Sequence, residues 1–251
     1  MLNTVQHGDC RYLLFKLHAS PKMIFADPPF NIGQNYRGFD DNMTHEEYVK
    51  FTKQWINECW LILKDGVLII HGNDYVARTV IKMEDELGLV PLSWNFLTFN
   101  FGVCIRTNWI NAHSHCLIYK KGDYTWNPEN VLIESARVKY KDKRVTQTKN
   151  GGTRVPGTVW GFDDVPYLSR VSGTNAERWN PHIHPNQLPQ TYLKRLILAY
   201  TNPGDLVIDP FAGSGTTALV SKSLGRNFIT MDVSKEVCQS VEERLEGGFV
   251  R

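Results

Sequence analysis

Near both ends of the chain, short continuous runs of apolar residues alternate with longer amphipathic stretches. Between short apolar runs, apolar residues recur every three to four positions, which is the spacing of one helix face. After Thr44, a residue type common at helix N-caps, this spacing holds from Tyr48 to Ile62. The apolar runs predict buried strands at residues 2–6, 23–26, 66–70, 206–208 and 228–231. Further helices are predicted at residues 73–88, 190–200, 216–224 and 234–245.

Strands that alternate with amphipathic helices are typical of a doubly wound, mostly parallel α/β sheet. Two further β-rich stretches, 92–101 and 116–120, precede a region from 121 to about 185 in which the pattern weakens. Gly, Pro, Asn and charged residues dominate that region. We therefore predict one α/β sheet, with residues 121–185 as an insertion at its edge.

The composition is that of a folded protein. Of 251 residues, 42% are hydrophobic and 22% are charged, close to the average for globular domains, which argues against disorder. No run of 18 apolar residues occurs, so no transmembrane helix is expected, and residues 1–9 lack the pattern of a secretion signal. The 5 cysteines are widely spaced without a Cys-x-x-Cys pair, which favours reduced thiols in a cytoplasmic protein.

The distribution of charge is more informative than the net charge of +2. Residues 137–154, here called the basic segment, carry seven basic residues and one acid, a local charge of +6 that leaves −4 on the rest. Alternation of Lys139, Lys141 and Lys143 predicts that they share one face of a strand. Such a segment suits a polyanion, and a solvated, mobile loop is the alternative interpretation. The basic residues are Arg137, Lys139, Lys141, Lys143, Arg144, Lys149 and Arg154.

A glycine-rich turn joins a predicted strand to a predicted helix in the last third of the chain. Residues 210–217 read Pro-Phe-Ala-Gly-Ser-Gly-Thr-Thr, and Gly213 and Gly215 let backbone amides approach a ligand closely. No Lys precedes the threonines, so the turn is not a phosphate-binding P-loop. Asp232 ends the next predicted strand, where a carboxylate can accept hydrogen bonds from two ribose hydroxyls. These features favour a nucleoside-type site, with a purely structural turn as the alternative.

A second candidate site follows the predicted strand at residues 23–26. In Asp27-Pro28-Pro29-Phe30 both prolines fix φ and disfavour helix in the preceding residue, which predicts a stiff turn at the carboxyl end of the strand. Ligands bind at such strand ends in open α/β sheets. The Asp27 carboxylate and the Pro28 carbonyl are acceptors beside the ring of Phe30, which suits a planar base with an exocyclic amine. A rigid turn with Phe30 in the core is the alternative.

Together these motifs resemble the amino-methyltransferases of DNA that use S-adenosylmethionine (AdoMet). Residues 27–30 are similar to the family's catalytic Asp/Asn/Ser-Pro-Pro-aromatic motif, and residues 209–217 to its AdoMet motif. The catalytic motif comes first, which is the permuted order of the family's beta group, with the recognition region between the two. Residues 7–10, 111–121 and 184–189 resemble three further segments of the family. In the family, the first of these contacts the cofactor adenine and the last lies beside the methionine end.

The resemblance implies a Rossmann-like methyltransferase fold that transfers a methyl group from AdoMet to N6 of a flipped-out adenine in double-stranded DNA. Residues 1–120 would form the catalytic half of the core, 121–185 the target-recognition insertion, and 186–251 the AdoMet-binding half. The implied catalytic residues are Asp27, Pro28, Pro29 and Phe30. The implied cofactor-binding residues are Asp9, Cys10, Asp27, Asn186, Gln187, Leu188, Asp209, Phe211, Ala212, Gly213, Ser214, Gly215, Thr216, Asp232 and Val233. The expected DNA contacts are Lys139, Lys141, Lys143, Arg144 and Arg154.

Other interpretations stay open at this point. The target can instead be cytosine N4, the substrate can be RNA, or the chain can be a silent DNA-binding subunit. Leu188 stands where the family usually has Lys, and Ser114 stands where an acid often follows the His. Family members often dimerise, and the sequence leaves the oligomeric state undecided. A bacterial, archaeal or phage-encoded protein is expected.

Three further features give weaker predictions. The histidine pairs at 113/115 and 182/184 have no Cys or acid at ligand spacing in the sequence, so no metal is expected. Trp160 and Trp179 are interpreted as anchors of a small core in the insertion. A loop at residues 31–43, which contains Tyr36 and Phe39, is predicted to close on substrate.

Overall fold

The computed structural model describes residues 1–99, 107–147, 151–161, 179 and 186–247. The strands are β1 (Thr4–His7), β2 (Met23–Ala26), β3 (Asn35–Tyr36), β4 (Phe39–Asp40), β5 (Gly66–Gly72), β6 (Val90–Thr98), β7 (His113–Lys121), β8 (Ile133–Glu134), β9 (Thr153–Arg154), β10 (Val159–Trp160), β11 (Leu206–Asp209) and β12 (Asn227–Asp232). The α-helices are α1 (Cys10–Phe15), α2 (His45–Ile62), α3 (Asp74–Ile81), α4 (Glu84–Leu87), α5 (Ala136–Lys139), α6 (Gln190–Tyr200), α7 (Thr216–Ser223) and α8 (Lys235–Gly247). Short 3-10 helices span Pro128–Val131 and Lys143–Gln147.

Eight strands form one sheet in the order β1-β12-β11-β2-β5-β7-β6-β10. β7 runs antiparallel to both of its neighbours, β5 and β6, and the other pairings of this sheet are parallel. The predicted mostly parallel α/β sheet is therefore confirmed. None of the helices in the described part of the chain is long and apolar enough to cross a membrane.

Helices cover both faces of the central strands. On one face Ile24 and Ile70 pack with Trp55 of α2, and on the other Phe25 packs with Tyr192 of α6. All five side chains are at most 1% exposed. Strands buried on both faces read as continuous apolar runs, which is why the sequence pattern located them.

Helix boundaries follow local capping signals. Thr44 caps α2 through a capping box, since its side chain accepts from the Glu47 backbone N–H and the Glu47 carboxylate accepts from the Thr44 N–H. Asn73 caps α3 in the same manner, with its side chain accepting from the Val76 N–H at 3.0 Å. The prediction of a single helix at residues 73–88 is wrong in one respect. The helix ends after α3, and a second short helix, α4, follows it.

The structure corrects the strand predicted in the basic segment. Lys139 instead ends α5, Lys141 has a left-handed φ of +50°, and Lys143 begins a 3-10 helix. The reason is local, because the side chains of Ser135 and Asp142 accept hydrogen bonds from backbone N–H groups two residues further on and so favour turns over an extended chain. At the sheet edge β10 pairs with β6. Trp160 is buried in the same core cluster as Phe25 and Tyr192, and so belongs to the core of the main sheet instead of the small core of the insertion that the sequence predicted.

Candidate active site

Three carboxylates lie at the carboxyl ends of three neighbouring strands. Asp232 and Asp209 are the last residues of β12 and β11, and Asp27 directly follows β2. The helix after β11 packs on one face of the sheet and the helix after β2 on the other. A change of face between adjacent strands leaves a crevice at their carboxyl ends, where open α/β sheets bind ligands.

A cavity of about 380 Å³ lies at this point. Five of the predicted catalytic and cofactor-binding residues do not line this cavity, and all five are buried: Asp209, Ala212, Ser214, Gly215 and Thr216. The others do line it, namely Asp9, Cys10, Asp27, Pro28, Pro29, Phe30, Asn186, Gln187, Leu188, Phe211, Gly213, Asp232 and Val233. Two motifs far apart in the sequence thus face one space of the size of a small-molecule site.

The Asp-Pro-Pro-Phe turn forms one wall of the cavity. The Tyr48 hydroxyl donates to the Pro29 carbonyl at 2.8 Å and holds the turn against α2. Burial, and then the neighbouring charge of Asp209, raise the pKa of Asp27 well above its ordinary value. Phe30 packs against the core beside α2, its ring centroid lies 6.4 Å from that of His71, and it lines the cavity. The turn therefore presents a carboxylate and a flat ring to a ligand.

The glycine-rich turn forms the opposite wall. Gly213 and Gly215 have φ of +50° and +76°. A Cβ on Gly215 would lie 2.6 Å from Val241 Cγ1, so only glycine fits at this position. Asp209 shapes the turn by accepting from the Phe211 N–H at 2.9 Å. Burial is the main cause that raises the pKa of Asp209 to about 7.

Asp232 organises two loops at once. Its Oδ2 accepts from the Gly213 N–H at 3.2 Å, and its Oδ1 accepts from the Ser234 N–H at 2.9 Å. Burial raises its pKa to about 6 even though these backbone hydrogen bonds favour the charged form. The two carboxylate oxygens together have about four acceptor positions, and the backbone N–H groups of Gly213, Val233 and Ser234 do not fill all of them, so Asp232 can still accept a hydroxyl from the cavity.

Asp9 has a partner that the sequence did not reveal. It caps α1 by accepting from the Arg11 N–H at 2.9 Å, and the Arg11 guanidinium forms an ion pair with it at 2.5 Å. Burial alone would raise the pKa of Asp9, but Arg11 holds it below the ordinary value. Next to it, burial raises the pKa of the Cys10 thiol. The carboxylate is thus ionised and held in one orientation at the cavity.

Two functional candidates were missed in the sequence. His71 lies in the cavity wall with Nδ1 3.2 Å from the Tyr192 hydroxyl, and burial lowers its pKa to about 3, so its ring is neutral. Arg244 is fully buried in α8 and donates to the Ser214 carbonyl at 2.7 Å and to the Thr216 hydroxyl at 3.1 Å. Its position three residues after Val241, on the apolar face of α8, was the available signal.

The metal prediction needs one correction. His113 and His115 do have an acidic partner, because Asp74 Oδ1 lies 3.5 Å and 2.6 Å from their respective Nε2 atoms. Trp94 Nε1, which can only donate, bonds His115 Nδ1 at 3.0 Å. His115 therefore carries its proton on Nε2 and donates it to Asp74, which favours a hydrogen-bonded group over a metal site. Residues 182–184, with the other histidine pair, lie outside the described residues.

The predicted DNA contacts lie apart from the cavity. Lys141, Lys143, Arg144 and Arg154 are exposed, and none of these four lines it. Arg144 bonds the neighbouring Asp142 at 2.8 Å, and Arg154 Nη1 donates to a backbone carbonyl at 3.3 Å. The side chain of Lys139 is outside the described part.

The chain was compared with known protein families, sequences and structures. The family model described as DNA methylase matches residues 22–243. The chain is 33% identical to the DNA adenine methyltransferase YhdJ of Escherichia coli, over 97% of this chain and 82% of that protein. It is 31% identical to the type II methyltransferase M.HpaI of Haemophilus parainfluenzae, over 90% of this chain and 68% of that protein.

Solved structures show the same fold at low sequence identity. The M1.HpyAVI–SAM complex superposes with a TM-score of 0.67 at 20% identity, covering 96% of this chain and 98% of that one. The cytosine-N4-specific PvuII DNA methyltransferase superposes with a TM-score of 0.69 at 19% identity, covering 98% and 86%. Fold, motifs and family model agree, and the chain belongs to the N6/N4 amino-methyltransferase family of DNA methylases.

Proposed function

We propose that this protein transfers a methyl group from AdoMet to the N6 amine of an adenine that is flipped out of double-stranded DNA. The observation that carries the proposal is the single cavity between the Asp27–Phe30 turn and the Gly213–Asp232 wall. Asp27 and Phe30 line one side of this cavity, and Asp232, which can accept hydrogen bonds from ribose hydroxyls, lines the other. The volume between them is that of a small-molecule site. A purely structural role for either motif would leave this cavity without a purpose.

The residues of the second wall fit AdoMet. The free acceptor positions of Asp232 suit the two ribose hydroxyls, and the backbone around Gly213 permits close approach. Asp9 would accept from the amine of the cofactor adenine, and Asn186 and Gln187 would hold the methionine end. Leu188, which stands in place of the family's usual Lys, lines the same space with an apolar side chain. When bound, AdoMet supplies an electrophilic methyl group on a positively charged sulfur.

On the catalytic wall, Asp27 and the Pro28 carbonyl would accept the two N–H bonds of the target amine. These contacts favour a pyramidal nitrogen whose lone pair is available for attack. Positive charge would develop on that nitrogen as the methyl–sulfur bond of AdoMet breaks and the neutral thioether leaves, and the Asp27 carboxylate would stabilise this charge in a site of low dielectric constant. The amine would lose one proton after the methyl group has been transferred. Phe30 would stack on the flipped base, a contact worth about 1–3 kcal/mol. Fixing both reactants in one cavity supplies much of the remaining acceleration.

Adenine is the proposed target for two reasons. The Asp-Pro-Pro form of the motif goes mostly with adenine in the resembled family, and one relative at 33% identity is named a DNA adenine methyltransferase. Cytosine N4 is the second candidate. The PvuII enzyme, which shares the fold, is specific for cytosine N4, and both bases present a similar N–H pair to Asp27.

We further propose the permuted arrangement for this chain. Residues 1–120 would be the catalytic half, 186–251 the AdoMet-binding half, and 121–185 the target-recognition region between them. The exposed cations of the basic segment would contact phosphates, which hold the duplex in place without reading its sequence. Sequence recognition would depend on other side chains of the insertion that reach base edges.

The test is methyl transfer from labelled AdoMet to unmethylated duplex DNA, followed by digestion and mass analysis of the nucleosides. Label in N6-methyladenine is expected, and label in N4-methylcytosine would overturn the target. The variant Asp27→Ala should bind AdoMet but transfer no label. Full activity of this variant would refute the role of Asp27, and AdoMet binding without transfer by the wild type would favour an RNA substrate or a silent subunit.

A further inference from the structure

The segment after the catalytic turn crosses the cavity instead of leaving it. Residues 31–43, here called the strap, contain the hairpin of β3 and β4, in which Tyr36 pairs with Phe39. Tyr36, Arg37 and Phe39 all line the cavity. The ring of Phe39 packs on Phe51 of α2 with ring centroids 5.2 Å apart. The strap is therefore part of the cavity wall.

The base of the strap is fastened by a buried carboxylate. Asp41 is 3% exposed and accepts from the backbone N–H groups of Asn31, Ile32 and Gln34 at 2.7, 3.1 and 3.0 Å. The Asn31 side chain also bonds both backbone groups of Met43, accepting at 2.7 Å and donating at 2.9 Å. These five bonds define the direction in which the hairpin projects.

The tip of the strap reaches the cofactor wall. The Arg37 guanidinium pairs with the Glu236 carboxylate at the start of α8. Gly38 also lies beside the chain just before α8, since a Cβ at this position would be in van der Waals contact with the Val233 carbonyl oxygen at 3.6 Å. The strap thus connects the Asp27–Phe30 turn, which follows β2, with the loop that follows Asp232.

Between base and tip, the Tyr36 side chain points to the place where the two walls meet. Its hydroxyl is hydrogen-bonded to the Asn186 side chain. Burial, followed by the charges of Asp27 and Asp41, raises the pKa of Tyr36, so the hydroxyl stays protonated at neutral pH. It is therefore an uncharged group close to Asp27, and it is bonded to the residue expected to hold the methionine end of the cofactor.

We propose that Tyr36 is a positioning residue for methyl transfer, acting through Asn186 to fix the methionine end of AdoMet relative to Asp27. The inference rests on the proposed function and adds a residue to it. A small displacement of one reactant lowers the rate of a displacement reaction strongly, whereas it changes binding little. Loss of the hydroxyl should therefore affect the transfer step more than cofactor affinity.

The test is the variant Tyr36→Phe, which removes only the hydroxyl. In single-turnover reactions with saturating AdoMet and DNA we expect the rate to fall about tenfold, the equivalent of one neutral hydrogen bond in the transition state. The AdoMet dissociation constant should change less than about threefold. The matched control is Tyr12→Phe, because Tyr12 lies on α1 with 69% exposure and should keep the wild-type rate.

A double-mutant cycle with Asn186→Ala separates positioning from loss of structure. If the hydroxyl acts through Asn186, the double variant should be no slower than Asn186→Ala alone. Additive losses, or a wild-type rate for Tyr36→Phe, would overturn the inference. Failure of the wild type to transfer a methyl group would refute the proposed function itself, and the two failures are thereby distinguishable.

Discussion

AdoMet affinity should depend on the ionisation of Asp232. Both of its oxygens are fixed by backbone N–H groups, at 3.2 Å from Gly213 and 2.9 Å from Ser234, and the carboxylate keeps acceptor capacity for the ribose hydroxyls. A protonated carboxyl group would use one oxygen as a donor and lose part of this pattern. Because burial raises its pKa to about 6, the change falls in an accessible pH range.

The size of the effect follows from that pKa. If only the ionised form binds well, the apparent dissociation constant is the intrinsic one divided by the ionised fraction. With a pKa of about 6, the ionised fraction falls about tenfold between pH 7 and pH 5. AdoMet affinity should therefore be full above pH 7 and about tenfold lower at pH 5. Asp232→Asn should weaken binding about 10- to 150-fold, the equivalent of about 1.5–3 kcal/mol for hydrogen bonds to a charged group.

The assay is calorimetric titration of AdoMet between pH 5 and pH 7, below the titration of the cofactor's own α-amino group at about 7.7–8.0. Circular dichroism at each pH shows whether the protein stays folded. Glu46→Gln, an exposed acid in the first turn of α2, controls for loss of a negative charge. The reasoning is refuted if wild-type affinity is constant within twofold over this range, or if Asp232→Asn keeps the wild-type pH dependence.

Three further outcomes are expected. Replacing Lys139, Lys141 and Lys143 with Gln should weaken DNA binding equally for all sequences and reduce the slope of the logarithm of the DNA association constant against the logarithm of salt concentration by about 2.7; a changed methylation site would contradict this. Gly215→Ala should lower the melting temperature more than Gly225→Ala, because both have positive φ but only Gly215 meets Val241, at 2.6 Å. Arg244→Met should lower both the melting temperature and the AdoMet affinity, because it leaves the Ser214 carbonyl without its donor. Unchanged affinity would show that Arg244 does not support the glycine-rich turn in its ligand-binding conformation.

The sequence predicted the parts of the site that depend on local rules. Apolar runs placed the strands, and the turns that carry Asp27 and Gly213 were each predicted to follow a strand. The meeting of Asp27, Asp209 and Asp232 at one edge follows from the strand order β12-β11-β2, which the sequence did not show. Thr44 and Asn73 predicted two helix starts because side-chain capping acts within four residues. These predictions needed no knowledge of long-range contacts.

What the sequence missed depends on side-chain direction across distant segments. Asp74 meets His115 only because α3 begins beside β7, and no spacing in the chain shows this. Likewise, the contact of Tyr36 with Asn186 requires the strap to turn back over the cavity. The basic segment misled for the opposite reason, since alternation of like charges resembles a strand pattern but supplies no apolar face to bury.

Burying three carboxyl groups close together is unfavourable for folding stability, and the proposed reaction gives a reason for the arrangement. Burial raises the pKa of each, and the charge of Asp209 raises that of Asp27 further, so burial opposes the ionised forms of all three. A positively charged sulfonium group lowers these pKa values and favours the ionised forms. The neutral thioether product does not. These carboxylates, of which Asp27 also stabilises the charge that develops on the target amine, should therefore favour AdoMet over its product, which helps the product to leave once the methyl group has been transferred.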